Sequence, residues 1–370
     1  MKPYLIFILL AISVALAAQT AIPPDQGSGT LADPFQIESF GNLIWLSQSP
    51  AFWSQHYIQT SDIDCSESVN LDSGAGWTPI GSFSTQFTGS YDGQGYQIQE
   101  LYFSRSTRDH AGFFGYAIGA KVNRVHLRDI SFLGRNFIGG LIGAAGGNTV
   151  VNNCSVTGSV RGNINVGGFV GHSDQSVYTN CYTHASSRGN EQVGGFVGLN
   201  GLNIPSHLYR CYSTGLVTLD SGTYAGGFIG RYSSGEVKYC YWDTQSSVMP
   251  TDQVATPKTT AEMMQQASYE LWNFSTQWSI SENVSYPDLE ALELFSLPAN
   301  LSPDDLTGSG TAADPYHIGD ADELNVIRQD LEAHYVLTAD IDLSASVVWD
   351  FGQGWEPVGT LTERFNGSFD

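Results

Sequence analysis

Basic residues are scarce in this chain: 15 Lys and Arg stand against 37 Asp and Glu in 370 residues, a formal net charge of −22. It therefore lacks the basic stripe that phosphate backbones demand, which excludes nucleic acid as a partner, and anionic membrane surfaces would repel it. Beyond the first residues no run of 18 apolar residues occurs, so the mature chain is expected to have no membrane span. The five cysteines are odd in number, and no two of them have the close spacing of a zinc site. No His-Glu-x-x-His occurs, so the helix-borne zinc site of a metallopeptidase is missing. Helical periodicity is missing from the middle of the chain as well.

In its place stands a repeated phrase. Gly139-Gly140-Leu141-Ile142-Gly143 returns as Gly167-Gly168-Phe169-Val170-Gly171, Gly194-Gly195-Phe196-Val197-Gly198 and Gly226-Gly227-Phe228-Ile229-Gly230. The leading glycines are 28, 27 and 32 residues apart, and the trailing Cys154, Cys181, Cys211 and Cys240 are 27, 30 and 29 apart. A fixed period of this size marks a repeat architecture. Within a unit, short apolar runs such as 166–170 and 177–182 read as two or three strands. One unit cannot bury its own apolar face, so the units must stack into an all-β, parallel β-solenoid.

The 41 glycines suit a fold that turns at every coil. A phosphate-loop reading of the phrase fails, because none of the copies provides the strand before, the helix after and the lysine. The glycines instead allow tight corners, while Phe169, Phe196 and Phe228 are expected to stack inside the coil. The four trailing cysteines form a second stack on another wall. Strands lie about 4.8 Å apart, within reach of a disulfide but poorly oriented for one in a parallel ladder. Free thiols packed as small hydrophobes are expected.

Lys2, the apolar run 4–16 and Ala15-Leu16-Ala17 read as an export signal cleaved after Ala17. Residues 18–95 then form an N-terminal cap and first coil, 96–245 the solenoid, and 246–303 a closing segment and linker. Residues 304–370 read as the truncated start of a second, homologous module, which makes this sequence look like a fragment. The turn 27–37 recurs at 308–318, Asp62-Ile63-Asp64 at Asp340-Ile341-Asp342, and the segment 87–92 at 365–370. Each copy carries a short helix, marked in the second by Asp320 as cap, Glu323, and an apolar face of Leu324, Ile327 and Leu331. Laid over the first coil, such a helix would cover an open strand edge. Thr259 to Glu262 forms a capping box that opens a helix to about Ala267, and Trp272, Phe274, Trp278 and Tyr286 are expected to close the far end.

The phrase, with Asn180-Cys181-Tyr182 and Cys211-Tyr212-Ser213-Thr214-Gly215 downstream, resembles the GLUG motif of bacterial secreted and surface proteins. Cys240-Tyr241-Trp242-Asp243-Thr244 with the segment 258–263 resembles the ending that often follows such repeats. The resemblance implies a right-handed parallel β-helix with short capping helices, exposed at a bacterial surface and adhesin-like. It implies no reaction. Some members carry the repeat beside a zinc peptidase of the immunoglobulin A protease kind, an activity this chain has no motif to share.

For an enzyme, the residues to consider are Asp174, Asp220 and Glu236, with Arg161, Arg188 and Arg210, all in turn regions of successive units. No unit gathers the paired carboxylates of a glycosidase or the base and cations of a lyase. His172, His184 and His207 are not spaced as a metal pair. Asp62 with Asp64, and Asp340 with Asp342, alternate about an isoleucine and could supply half a calcium site with Asp72 or Asn70, although a structural turn is the simpler account. No cofactor is expected. The sequence thus points to a non-catalytic, exported repeat protein that binds a glycan or an extracellular protein. The alternatives are a carbohydrate-active β-helix enzyme and a structural spacer. Local function is expected on the variable stretches 200–207 and 219–224.

Overall fold

The computed structural model describes residues 20–289, 302–341, 358 and 364–370; the expected export signal lies outside them. The chain winds into a parallel β-solenoid with four walls; each full coil contributes one short strand to three of them and two short strands or one long one to the fourth, rather than the two or three strands per coil expected. The coil of the second phrase, for example, consists of Ile164–Gly167, Val170–Ser173, Ser176–Thr179 and Tyr182–Thr183, with Ser186–Gly189 beyond. The extra strand arises because the phrase itself turns a corner. Gly167 ends one strand and Val170 begins the next, so what reads as one apolar run spans two walls. At four residues or fewer, these strands are too short for alternation to reveal them.

Stacking is in phase. Ile138 lies beside Val166, Val166 beside Val193, and Val193 beside Ala225; on the adjoining wall Ile142, Val170, Val197 and Ile229 form the same kind of ladder. Between these walls the phenylalanines point inward and lie face to face, with ring centroids 4.4 Å apart for Phe169 and Phe196 and 5.0 Å for Phe196 and Phe228. Leu141, Phe169, Phe196 and Phe228 are fully buried. A Cβ on Gly195 would overlap the carbonyl oxygen of Gly227 in the next coil, so glycine is what lets the coils approach here.

The cysteines mark a second corner. The residue before each takes a left-handed conformation, at Asn153, Asn180, Arg210 and Tyr239. Each thiol donates to the carbonyl two residues back, with Sγ to oxygen distances of 3.0, 3.2, 3.4 and 3.4 Å for Cys154, Cys181, Cys211 and Cys240. All five cysteines are free and buried, and burial pushes the thiols of Cys181 and Cys240 well above their usual pKa. The same corner carries a polar ladder on which Asn180 donates to Asn153 at 3.3 Å and Arg210 to Asn180 at 2.9 Å.

At the near end, helix Phe40–Gln48 opens with Ser39 and Asn42 in a reciprocal cap and buries Phe40, Leu43, Ile44 and Leu46 in the solenoid core. Residues 302–341 with 364–370 rebuild this element. Helix Ala321–Val326 is capped by Asp320, and strands Tyr316–Ile318, His334–Leu337 and Ser368–Phe369 pair in parallel as Phe35–Ile37, His56–Gln59 and Ser90–Asp92 do. Even a side-chain bond recurs: His56 to Ser90 at 2.7 Å, and His334 to Ser368 at 2.6 Å.

The far end departs from the expectation. It is closed by the turn after Trp242, where the Asp252 carboxylate accepts from the Phe228 and Ile229 amides at 2.9 and 2.7 Å, and Gln253 accepts from Tyr232 at 2.6 Å. These side chains do for the last edge what another strand would do. The aromatics 272–286 lie along the flank instead. Tyr182 and Tyr212 project outward as a stacked pair with centroids 5.1 Å apart, and with Tyr241 they are covered by Met263, Tyr269, Trp272 and Trp278. Tyr212 donates to the Pro287 carbonyl, and Tyr182 to Asp288 at 2.6 Å. The helix that opens this strap is shorter than expected, Thr260–Met263, followed by a 3-10 turn at Gln266–Ser268. Among the described residues no helix is long and apolar enough to cross a membrane.

Candidate ligand-binding cleft

Each copy of the phrase is bracketed by two residues that do not repeat in type. The residue two positions before it takes a left-handed conformation at His110, Phe137, Asn165 and Gln192, with φ of 55°, 62°, 58° and 58°, and Tyr224 holds that place before the last copy without it. The one after it begins the outward face of the next wall, where Tyr116, Ala144, His172, Leu199 and Arg231 lie beside one another in register. Two outward ladders therefore run parallel to the solenoid axis, one on each side of a corner. The last glycine of the phrase sets how close they come: a Cβ on Gly198 would sit 2.6 Å from the carbonyl carbon of Asn165, one coil away. Between the ladders lies a cleft of about 380 Å³.

One end of the cleft is aromatic. The His110 ring is parallel to Tyr116 at 5.3 Å and to Phe137 at 4.7 Å, and Phe83 lies over Tyr116 at 6.2 Å. Phe83 is 72% exposed, so the stack ends in an open ring face. Farther along, the lining turns to Ile164, Leu199 and Leu202, and Arg231 stands at the other end with its guanidinium 5.0 Å from the Tyr224 ring.

Three of the lining side chains carry a buried polar atom with no hydrogen-bond partner: Asn165 Oδ1, Gln192 Oε1 and His172 Nε2. Buried polar groups are nearly always paired, so three on adjoining coils stand out. The His172 nitrogen is 3.6 Å from the Asp174 carboxylate, which is itself held by the amide and side chain of Asn203 at 3.1 and 2.7 Å. Burial lowers the pKa of both His110 and His172 below the usual imidazole value, Asp109 and Asp174 opposing the shift, so both are neutral at pH 7. The cleft thus offers apolar faces, neutral donors and acceptors, and one cation at its end.

The unit that builds it has a recognisable form. Residues 135–161 match the GLUG motif. Halomucin of Haloquadratum walsbyi is similar, at 34% identity over 154 residues, 40% of this chain and 2% of halomucin. An immunoglobulin A1 protease of Streptococcus sanguinis is 29% identical over 138 residues, 37% of this chain and 7% of the protease. A protein of Evansella cellulosilytica named as a Gly-rich membrane protein is 28% identical over 115 residues, 30% of this chain and 13% of that protein. The chain thus spans a small part of each of these relatives. Among solved structures, a candidate immunoglobulin A1 protease from Bacteroides ovatus superposes with a TM-score of 0.55 at 16% identity, over 73% of this chain and 96% of that one, a likeness of fold.

The coils place the other predicted residues apart from the cleft and from one another. Asp220 is engaged by Arg188 at 2.8 Å, and Arg161 lies beside Arg188 in register. Glu236 accepts from Tyr209 at 2.7 Å and from Lys238 at 3.1 Å, and Arg210 is held in the asparagine ladder. His207 stacks on Tyr209, and His184 is buried under the flank strap beside Tyr212 and Tyr286. Of these residues only His172 lines the cleft and only Asp174 approaches it.

The Asp-Ile-Asp pair does not converge either. Asp62 accepts from the Gln97 amide and Asp64 from the Ser66 amide, each at 2.8 Å, while Asp72 is paired with Arg105 and Asn70 donates to Glu67. Asp64 serves a local turn, whereas Asp62 holds the start of the strand Gln97–Gln99. Asp342 lies outside the described residues. Among the described residues no three His, Cys, Asp or Glu gather as a metal site.

The cleft residues carry no periodic signal in the sequence, because their types differ from coil to coil. Their signal was positional: the two variable residues that bracket each phrase, such as Asn165 and His172 or Gln192 and Leu199. Of the variable stretches 200–207 and 219–224, expected to carry function, the first contributes Leu202 to the cleft lining and the second borders the cleft through Tyr224, which lies against Arg231.

Proposed function

We propose that this is a non-catalytic, secreted or cell-surface binding protein of adhesin type, and that the axial cleft is where its solenoid engages a glycan or an extracellular protein. The observation that carries this reading is the pair of non-repeating ladders that the repeating phrase holds side by side. A spacer needs only the repeated core, whereas here the variable residues gather in one cleft with unpartnered polar atoms. Surface exposure is supported by the names of two similar proteins, a halomucin and a membrane protein. Two others are named as immunoglobulin A1 proteases. The charged groups considered for catalysis here are held singly by neighbours, so we place no reaction in the solenoid.

Ala144 occupies a register position that Tyr116, His172, Leu199 and Arg231 fill with large side chains and is itself 2% exposed, so Ala144→Tyr drives a ring into the cleft at a backbone position that accepts large residues in the neighbouring coils. Beads coated with the full chain are expected to be retained on a mucin layer or on immobilised matrix proteins, and beads coated with Ala144→Tyr to be released. Equal retention of the two proteins contradicts the reading.

A further inference from the structure

We propose that the cleft takes a linear, uncharged polysaccharide lying along the solenoid axis, with about one sugar unit against each coil. This inference rests on the reading of the solenoid as a binding protein and names its ligand class.

Shape comes first. The ladder from Tyr116 to Arg231 advances one coil per residue through five strands of one wall, at about 4.8 Å per step. A pyranose ring with its linkage is of similar length, so a linear glycan would offer an equivalent face to each coil.

Hydrogen bonding selects hydroxyls. Asn165 Oδ1 and Gln192 Oε1 are acceptors without donors, on adjacent coils, and His172 Nε2 is the third unpartnered atom. Neutral imidazole and amide groups both donate and accept, which is the capacity a sugar hydroxyl matches. Each of these atoms is itself closed to solvent, so a sugar hydroxyl reaches it only as the side chain turns toward the cleft on binding, and pairing it then recovers the cost of leaving it buried and unpaired. The open face of Phe83 and the stack behind it suit the apolar C–H face of a pyranose.

Charge argues against a polyanion. Arg231 stands alone at one end, and the Asp174 carboxylate approaches the middle of the cleft at His172. A uronic acid or sulfated chain would meet no row of cations there.

The test is calorimetry on the full chain. The probes are cello-, manno-, xylo- and chito-oligosaccharides of about two to six units, a range set by five coils at about 4.8 Å, with polygalacturonate, heparin and fibronectin as contrasts. One neutral series is expected to bind, with affinity that climbs to about five units and then levels, and that is insensitive to added salt. Phe83→Ala, a change at an exposed residue, is expected to weaken it about tenfold, and Ala144→Tyr to abolish it with the circular dichroism unchanged. If polygalacturonate, heparin or fibronectin binds in a way that Ala144→Tyr removes while every neutral series is silent, the uncharged-glycan assignment falls and the binding function stands. If no probe responds to Ala144→Tyr, both fall. Affinity that does not change with oligosaccharide length overturns the axial placement.

Discussion

Gly198 lies against the backbone of Asn165, one coil away, so closely that a Cβ on the glycine would sit 2.6 Å from the asparagine carbonyl carbon. This contact joins the repeated phrase to the cleft, because it fixes the separation of the two ladders. Gly198→Ala must push adjacent coils apart, and overpacking of this kind costs about 1–3 kcal/mol. A lowered urea midpoint would register it.

The stacked phenylalanines carry the core. Phe196 is packed against Phe169 and Phe228 on both faces, at 4.4 and 5.0 Å. Phe196→Ala is expected to cost about 3–5 kcal/mol, since the coils on either side are tied by hydrogen bonds and cannot collapse into the void. Conservative Phe196→Leu, the residue type present at Leu141, should cost markedly less in the same denaturation experiment.

Asp252 closes the last strand edge by accepting from two backbone amides. Asp252→Ala leaves those donors unpaired, at about 1–3 kcal/mol. It also exposes a parallel edge that can pair with another molecule. Light scattering should detect self-association in the variant and none in the parent.

The flank strap covers two histidines. His126, bonded to Ser155 at 2.8 Å, and His184, beside Tyr212 and Tyr286, are both pushed down to about 4 by burial; Asp288 opposes the shift, and Arg128 adds to it at both residues, with Arg124 at His126. Because the folded pKa lies below the free imidazole value of about 6.5, the exposed state binds more protons between these values. The contribution of the closed strap is therefore complete above pH 6.5 and is lost as pH falls toward 4. Fluorescence of Trp272 and Trp278, with protease cutting after residue 260, should report strap release over that window. Release that begins at alkaline pH would contradict the assignment.

The repeat architecture was legible because stacking forces it into the sequence. Each coil must put the same small residue at the same close approach and the same ring over the last ring, so Gly195 and Phe196 recur in step. The corner inside the phrase was hidden, since two four-residue strands joined by glycines look like one run. The strap was misplaced for a related reason. The tyrosine after each cysteine belongs to the repeat, yet Tyr182, Tyr212 and Tyr241 point outward and form the strip on which Trp272 and Trp278 dock. The cleft left no periodic signal, because its residues differ from coil to coil while their positions are held constant. The Asp-Ile-Asp pair shows the converse: Asp62 and Asp64 recur in sequence, but as acceptors for two separate backbone amides, one at the start of a strand and one in a local turn.

Ligand is expected to engage the cleft between the two ladders. The chain has eight histidines, of which His110 and His172 line the cleft, whereas His126 and His184 are packed on the flank. Imidazole nuclear magnetic resonance signals, followed during a titration with whichever neutral oligosaccharide binds most tightly, test the claim directly. The His110 and His172 signals should shift together with a common dissociation constant while those of His126 and His184 hold still. Saturable binding that leaves His110 and His172 unmoved would contradict it.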